Sequence, residues 1–390
     1  MTAETERVAA LDPAAEYAAV REEIDAAVSR VLASGRYVGG PEVEGLEAEF
    51  AAFCGVTHAV AVSTGTDALR FALIASGLPA GGEVVTSPFT FIGTTEAIHQ
   101  AGGRAIFADI LPDTFAIDPA RVKAALTLRT AAVLPVHLYG HPADMDSLQP
   151  EAGHRRLTIV EDACQAHGAS LHGRMVGGMG TAGCFSFYPT KNLGACGEGG
   201  MVTTGDAAIA ARVRRLRDHG QSEKYLHAEE GYNGRLDAVQ AAILRVKLRR
   251  LWEWNERRRS LATLYADRLA PLEGRGWLRR PVERPGVKHA WHLYAVRIPS
   301  EAADLRAADR TSRRDQVRAR LLGQGIETGI HYPVPLHRQP AYASLGLAEG
   351  SFPEAERAAR EVLTLPIHPH LSERQAERVA TALAAALESA

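Results

Sequence analysis

From about residue 57 to residue 205, short apolar runs rich in β-branched residues alternate with stretches of helical periodicity. The runs are "HAVAV", "EVVTS", "RAIFADI", "AAVLPVHL", "LTIVED", "CFSFY" and "MVTT". Between them lie "TDALRFALIASG", "TTEAIHQAG", "DPARVKAAL" and "DMDSLQPEAG", which carry helix starts or a 3.6-residue period. This alternation predicts βαβ units, a mostly parallel sheet and an α/β fold. Near Arg235 the pattern becomes one long helical run, "RLDAVQAAILRVKLRRLWEWNERRRSLATLYADRL", followed by shorter strands such as "HLYAVRI" and C-terminal helices. A lobe boundary is expected near residue 250, giving a large domain over 1–250 and a smaller one over 251–390. A chain of 390 residues has room for two cores.

Composition narrows the function classes. Charged residues make up 23% and the net charge is −2, so no global field draws polyanions. In "KLRRLWEWNERRR", Glu253 and Glu256 intersperse with the arginines at helical spacing, which reads as a solvated face with i,i+4 pairs rather than a nucleic-acid footprint. No apolar run approaches the ~20 residues that span a bilayer. The start, "MTAETERVAALDPAAEY", reads as neither a secretory nor an Arg-rich transit segment, so the expected location is the cytoplasm. Cys54, Cys164, Cys184 and Cys196 form no C-x-x-C pair, and the 15 histidines are scattered, so no metal is expected.

In open α/β sheets ligands bind beyond the carboxyl ends of the strands. Three segments there carry chemistry. "VSTGTDAL" places Gly65 and Thr66 between a strand and a helix, where free N–H groups suit a phosphate; a plain N-cap reads equally well. "TIVEDACQAHGA" ends a buried strand with Glu161 and Asp162, either a capping carboxylate or a cation-binding one. "SFYPTKNLGACGEGG" holds Lys191 between an apolar run and a glycine turn, where a lysine is either snorkelling or functional. The glycines of "GMGTAG" fit G-x-G-x-x-G but precede a strand, so the dinucleotide reading fails its context, and no P-loop occurs. Together the three segments suit a small phosphorylated cofactor with a cationic ring and a lysine partner, as pyridoxal phosphate (PLP) is.

The motifs "GRYVGGPEVEGLEAEFA", "PVHLYGHPADMD", "VEDACQAHGA", "FSFYPTKNLGACGEGG", "GYNGRLDAVQAAIL", "IHYPVPLHRQPAY" and "LTLPIHPHL" occur in order along almost the whole chain. In them the sequence resembles the DegT/StrS nucleotide-sugar aminotransferases. The resemblance implies a fold-type I PLP enzyme with a seven-stranded, mostly parallel sheet and a smaller C-terminal α+β domain. It implies Lys191 as the Schiff-base lysine and proton carrier, and Asp162 as the partner of the pyridine nitrogen. Gln165 is implied near the ring hydroxyl, Gly65, Thr66 and Ser186 in the phosphate cradle, and Phe91 over the ring. Asn233 is implied to reach the phosphate of a partner subunit, which makes the expected state a homodimer with shared sites. Here the chain reads Asn233-Gly234-Arg235, whereas the family often reads Asn-Ser-Arg.

Relatives with histidine at the lysine position act as dehydratases, so Lys191 implies transamination, with L-glutamate as donor and 2-oxoglutarate as its product. "FYPTKN" resembles the branch acting on C3 of dTDP-linked 3-keto-6-deoxyhexoses, while "FHETKN" is commoner in the 4-keto branch. Tyr188, Lys224 and His331 are implied sugar or nucleotide contacts, although a tyrosine at a strand end is commonly core and a surface lysine commonly solvated. The alternatives are C4 amination, amination of a keto-inositol, and a PLP-binding sensor of nucleotide sugars without turnover.

Overall fold

The computed structural model describes residues 7–299 and 312–389. Seven strands form one sheet: β1 His58–Val62, β2 Glu83–Thr86, β3 Arg104–Phe107, β4 Thr130–Leu134, β5 Thr158–Asp162, β6 Ala182–Ser186 and β7 Gly200–Thr204. Their order across the sheet is β1-β7-β6-β5-β4-β2-β3. Only β7 runs against its neighbours, β1 and β6; the other pairs are parallel. Both faces are buried. Phe50, Val85, Val133 and Ile159 share a cluster on one face, and Val84, Leu134, Val160 and Phe71 a cluster on the other. This is why the strands read as continuous apolar runs rather than alternating ones.

The helices covering the sheet and its edges are α1 Pro13–Ala19, α2 Arg21–Ser34, α3 Pro41–Cys54, α4 Gly65–Ala75, α5 Gly93–Gln100, α6 Pro119–Ala125, α7 Met145–Arg155, α8 Ala207–Leu216 and α9 Ala238–Leu248. The predicted helix starts are present as caps: Thr64, Asp118 and Asp144 each accept from a backbone N–H in the first turn. The long run beyond Arg235 is not one helix. It breaks at Arg249-Arg250 into α9 and α10 Leu251–Gly274. The break redirects the chain: Leu251 and Trp254 pack with large-lobe residues, while Leu261, Tyr265, Leu269 and Leu272 lie in a separate core.

That second core also takes in β8 Tyr294–Arg297, β9 Val362–Leu365, α11 Arg313–Gly323 and α13 Glu373–Glu388. β8 and β9 pair antiparallel. Packing crosses the boundary expected near residue 250 in both directions. Val8 belongs to the small-lobe core, and α12 Pro353–Glu361 places Ala355, Ala358 and Ala359 in a large-lobe cluster.

The basic stretch is less solvated than its sequence predicts. Lys247 is 5% and Arg258 3% exposed. Lys247 bonds Glu16 at 2.7 Å and the Gly194 carbonyl at 2.8 Å, so α1 and α9 brace the loop that carries Lys191. Within the stretch the pairs are i,i+3 rather than the expected i,i+4, Arg250 with Glu253 and Arg259 with Glu256, both at 4.0 Å, while shorter pairs reach distant Glu23, Glu283 and Glu373. Among the described residues no helix is long and apolar enough to cross a membrane, and no group of three or more His, Cys, Asp or Glu is placed to hold a metal.

Candidate active site

The carboxyl ends of β1, β2, β5 and β6 bring most of the predicted residues together. After β1, Thr64 caps α4 by accepting from Asp67 N at 3.0 Å, and its carbonyl takes Ala68 N. A helix leaves its first N–H groups without intrahelical partners. Those of Gly65 and Thr66 have no acceptor among the described residues. Ser186, the last residue of β6, lies against Gly65: a Cβ there would stand 2.6 Å from Ser186 Cβ and 3.1 Å from Cys164 Sγ. Glycine is therefore required by close approach. Two free N–H groups and the Ser186 hydroxyl at a helix N-terminus are a donor set for a phosphate.

β5 ends in the two carboxylates. Asp162 is 5% exposed; its Oδ2 accepts from Thr94 Oγ1 at 2.8 Å and its Oδ1 from Cys164 N at 3.2 Å. Glu161 is fully buried and accepts from Gly177 N and Met179 N at 2.8 Å and Gly180 N at 2.6 Å, with His137 Nε2 at 3.0 Å. His137 Nδ1 accepts from Ala143 N, so its proton sits on Nε2 and is donated to Glu161. The glycine motif that fails the dinucleotide test thus has a different task. Its N–H groups hold a buried carboxylate, and its strand-side glycine is forced, since a Cβ on Gly183 would lie 2.2 Å from Gly177 Cα.

Lys191 follows β6 in a turn closed by its own N–H on the Tyr188 carbonyl at 2.9 Å. Burial pushes its ammonium below the ordinary lysine value, while Cys164 and Asp162 nearby pull it partly back. Its ammonium has no hydrogen-bond or ion-pair partner among the described residues. The loop is fixed by the next residue: Asn192 donates to Asn255 Oδ1 at 2.9 Å and the Ala290 carbonyl at 2.8 Å, and lies 3.1 Å from His292 Nδ1. Around Lys191 the imidazoles are held neutral. Burial, with the lysine charge adding to it, takes His331 down to about 4 and His167 to about 3.

Gln165 Oε1 accepts from Tyr139 N at 2.8 Å, and its Nε2 donates to Tyr332 Oη at 3.1 Å. Tyr139 Oη in turn bonds the His331 carbonyl. Phe91 follows β2, is 56% exposed, and stands 6.1 Å from the Tyr332 ring. Sequence reasoning missed Thr90, Thr94, Tyr139, Asn192 and Tyr332. The hydroxyls of "TFIGT", four residues apart at a helix start, were the visible signal for the first two.

Lys224 and Asn233 are not in this cluster. Lys224 lies on an exposed hairpin, Gln221–Glu223 against Leu226–His227, with its ammonium 5.3 Å from the Tyr225 ring. Asn233 is exposed, and its Oδ1 accepts from Arg235 at 2.6 Å. A turn asparagine would have left-handed backbone, but the positive φ angles here belong to His219, Gly220 and Tyr225. Gly231 and Gly234 serve close approach instead, to Gly220 and to the Phe71 ring. Tyr188 is 47% exposed, which removes the core reading for it.

The residues present fit PLP: a phosphate cradle, a carboxylate with acceptor capacity left over, and an unpartnered lysine on a braced loop. The comparisons agree. The sequence pattern of the DegT/DnrJ/EryC1/StrS aminotransferase family matches residues 18–384. The chain is 49% identical over 381 residues to the dTDP-3-amino-3,4,6-trideoxy-alpha-D-glucose transaminase of Streptomyces venezuelae, covering 98% of this chain and 96% of that protein. The solved structure of S. venezuelae DesV in complex with a ketimine intermediate superposes with a TM-score of 0.93 at 48% identity, covering 98% and 99% of the two chains. Bacillus subtilis ntda with bound cofactor PMP gives 0.88 at 29% identity, covering 99% of this chain and 86% of that one. The protein therefore belongs to the DegT/DnrJ/EryC1/StrS aminotransferase family, with a fold-type I architecture and PLP as its cofactor.

Proposed function

We propose that this aminotransferase moves the amino group of L-glutamate to C3 of a dTDP-linked 3-keto-6-deoxyhexose. The substrate reading is carried by the 49% identity to the S. venezuelae 3-amino sugar transaminase over nearly the full length of both chains. The catalytic reading is carried by Lys191, half-buried near Asp162 with its ammonium unpartnered among the described residues. When bound, PLP would supply the electron-accepting ring that transamination needs. Lys191 Nζ anchors the cofactor and then takes and returns the proton at the reacting substrate carbon. Its lowered pKa favours the free amine that this task needs. Asp162 would keep the ring nitrogen protonated; Gly65, Thr66 and Ser186 would hold the phosphate, with Phe91 and Gln165 as the residues that would contact the ring.

His331 and Tyr188 are proposed substrate contacts near Lys191. Lys224 and Asn233 are proposed to act from the arm between residues 218 and 235, Asn233 on the phosphate of a second copy, which makes the working unit a cytoplasmic homodimer. A division into domains near residue 250, with Val8 and α12 exchanged across it, is part of the same proposal.

The test is to load the enzyme with amino groups from glutamate and supply dTDP-3-keto and dTDP-4-keto sugars separately. The expected outcome is release of 2-oxoglutarate and a product whose NMR spectrum places nitrogen on C3. Nitrogen on C4, or faster turnover of a keto-inositol, overturns the substrate. Failure of glutamate to load the cofactor and release 2-oxoglutarate favours the sensor.

A further inference from the structure

Behind Asp162 the segment leading into α5 presents two buried hydroxyls. Thr94 Oγ1 lies 2.8 Å from Asp162 Oδ2 and 2.9 Å from Thr90 Oγ1. Thr90 is 3% and Thr94 2% exposed. A carboxylate only accepts, so Thr94 gives its single proton to Asp162. Its oxygen is then the acceptor in the second contact, and Thr90 the donor. The direction of the chain is fixed: Thr90 to Thr94 to Asp162. Hydrogen bonds in such a series polarise one another in a low-dielectric interior. Valine would fill nearly the same volume at either position, so packing alone does not require a hydroxyl, and a buried hydroxyl is costly unless it is used. Thr94 also ties the carboxylate to the aromatic, since Thr94 N bonds the Phe91 carbonyl at 3.2 Å. The other carboxylate contact, from Cys164 N, is the longer one at 3.2 Å.

We propose that Thr94, backed by Thr90, is a positioning residue for transamination: it fixes the Asp162 carboxylate and favours its charged form, so that the proton shared with the cofactor stays on the ring nitrogen. This rests on the reading of Asp162 as the partner of that nitrogen. Removing a donor from a carboxylate disfavours its charge, which shifts the shared proton from the ring toward the aspartate.

The experiment compares holoenzymes carrying nitrogen-15 PLP: wild type, Thr94→Val, Thr94→Ser, Thr90→Val and Asp162→Asn. The readouts are the ring-nitrogen NMR shift against pH, the rate of cofactor release, kcat and KM. Thr94→Val is expected to move the nitrogen signal toward its unprotonated position and to lower kcat about tenfold, the scale of one hydrogen bond to a charged group. KM for both substrates should stay within about twofold, because the substrates keep their own contacts. Thr94→Ser should restore the wild-type nitrogen signal, and Thr90→Val should shift it the same way with a loss of about two- to threefold. A displaced signal in Asp162→Asn beside an unmoved one in Thr94→Val overturns the role of Thr94 and leaves that of Asp162. An unmoved signal in Asp162→Asn removes the aspartate reading and this proposal with it. Lower thermal stability of Thr94→Val without a nitrogen shift makes the hydroxyl a packing element, and that also overturns the proposal. If Thr94→Val does not fold, an unmoved signal in Thr90→Val has the same force.

Discussion

Glu161 and Asp162 are neighbours on β5, both carboxylates shut away from bulk water, and the chain treats them in opposite ways. Successive strand residues face opposite sides of a sheet. Glu161 meets three backbone N–H groups and the His137 ring, which answers its acceptor capacity from within the fold. Asp162 meets one hydroxyl and one N–H at the carboxyl end of the sheet. Burial and charge are common to both. The difference lies in hydrogen-bonding capacity that the fold leaves unused, and on that ground Asp162 and the unpartnered Lys191 are the groups we propose to be held for a ligand.

The sharpest way to break this comparison is to remove each group and ask what fails. Lys191→Ala should lose all multiple turnover and the visible absorbance of the lysine-linked cofactor. Asp162→Asn should retain the fold, bind PLP weakly and lose about a hundredfold or more in kcat, since it discards a charge-assisted contact. Glu161→Ala should do the reverse in kind. It strands three buried N–H donors, a cost of about 3–5 kcal/mol, so urea unfolding moves first and activity follows only through lost protein. If Glu161→Ala folds normally but is inactive, the partition by unused capacity is wrong.

A second test uses pH. Burial takes His141, His331 and His368 down to about 4 and His167 to about 3. The unfolded chain binds protons on these rings below an ordinary value near ~6.5, while the folded chain does not. Stability is therefore full above about pH 7 and lost as pH falls from about 6.5 toward 4, at up to about 1.4 kcal/mol per histidine per unit. The melting temperature should drop steeply over that window. A flat profile down to pH 5 would mean that the imidazoles around Lys191 are hydrated.

How much of this was legible depends on whether the cause is local. All seven strands were, because each is a short run of mostly apolar residues set between helical or turn segments, and so were the caps at Thr64, Asp118 and Asp144. Lys191 and Asp162 were legible as candidates because the motifs that single them out are local in the chain, "FSFYPTKN" and "EDACQAHGA". The break at Arg249-Arg250 was not, since helical periodicity runs straight through it and only the change of packing partner reveals it. Lys247 and Arg258 look solvated in sequence; their burial is set by α1 and by the Ile367 carbonyl, which are distant along the chain. Thr94 and Tyr332 escaped for the same reason, as their partners lie 68 and 167 residues away.

The criterion of unused capacity extends to the arm. Asn233 gives its oxygen to Arg235, while its amide N–H groups have no acceptor among the described residues. If those groups serve a second copy, Lys191→Ala and an inactive Asn233 variant should complement each other when mixed. Random equal mixing of two inactive subunits should restore about a quarter of wild-type activity, one intact site in each heterodimer. Mixtures with demonstrated subunit exchange that stay inactive would place Asn233 in its own chain.

The smallest effect is expected at Lys224, where the comparison is hardest to make. Its ammonium rests near the Tyr225 ring, itself 82% exposed, and has no ion pair among the described residues. An exposed cation that meets an anionic nucleotide contributes at most about 1 kcal/mol. Lys224→Ala should therefore raise KM for the nucleotide sugar by up to about fivefold at low salt, leaving kcat and the KM for glutamate unchanged. Salt screens such a contact, so the difference between variant and wild type should shrink as ionic strength rises from about 0.01 M to 0.15 M. Lys224→Arg should keep the low KM. Equal KM values for Lys224→Ala and wild type at low salt would return this lysine to the solvated surface and confine substrate recognition to the strand-end cluster around Tyr188 and His331.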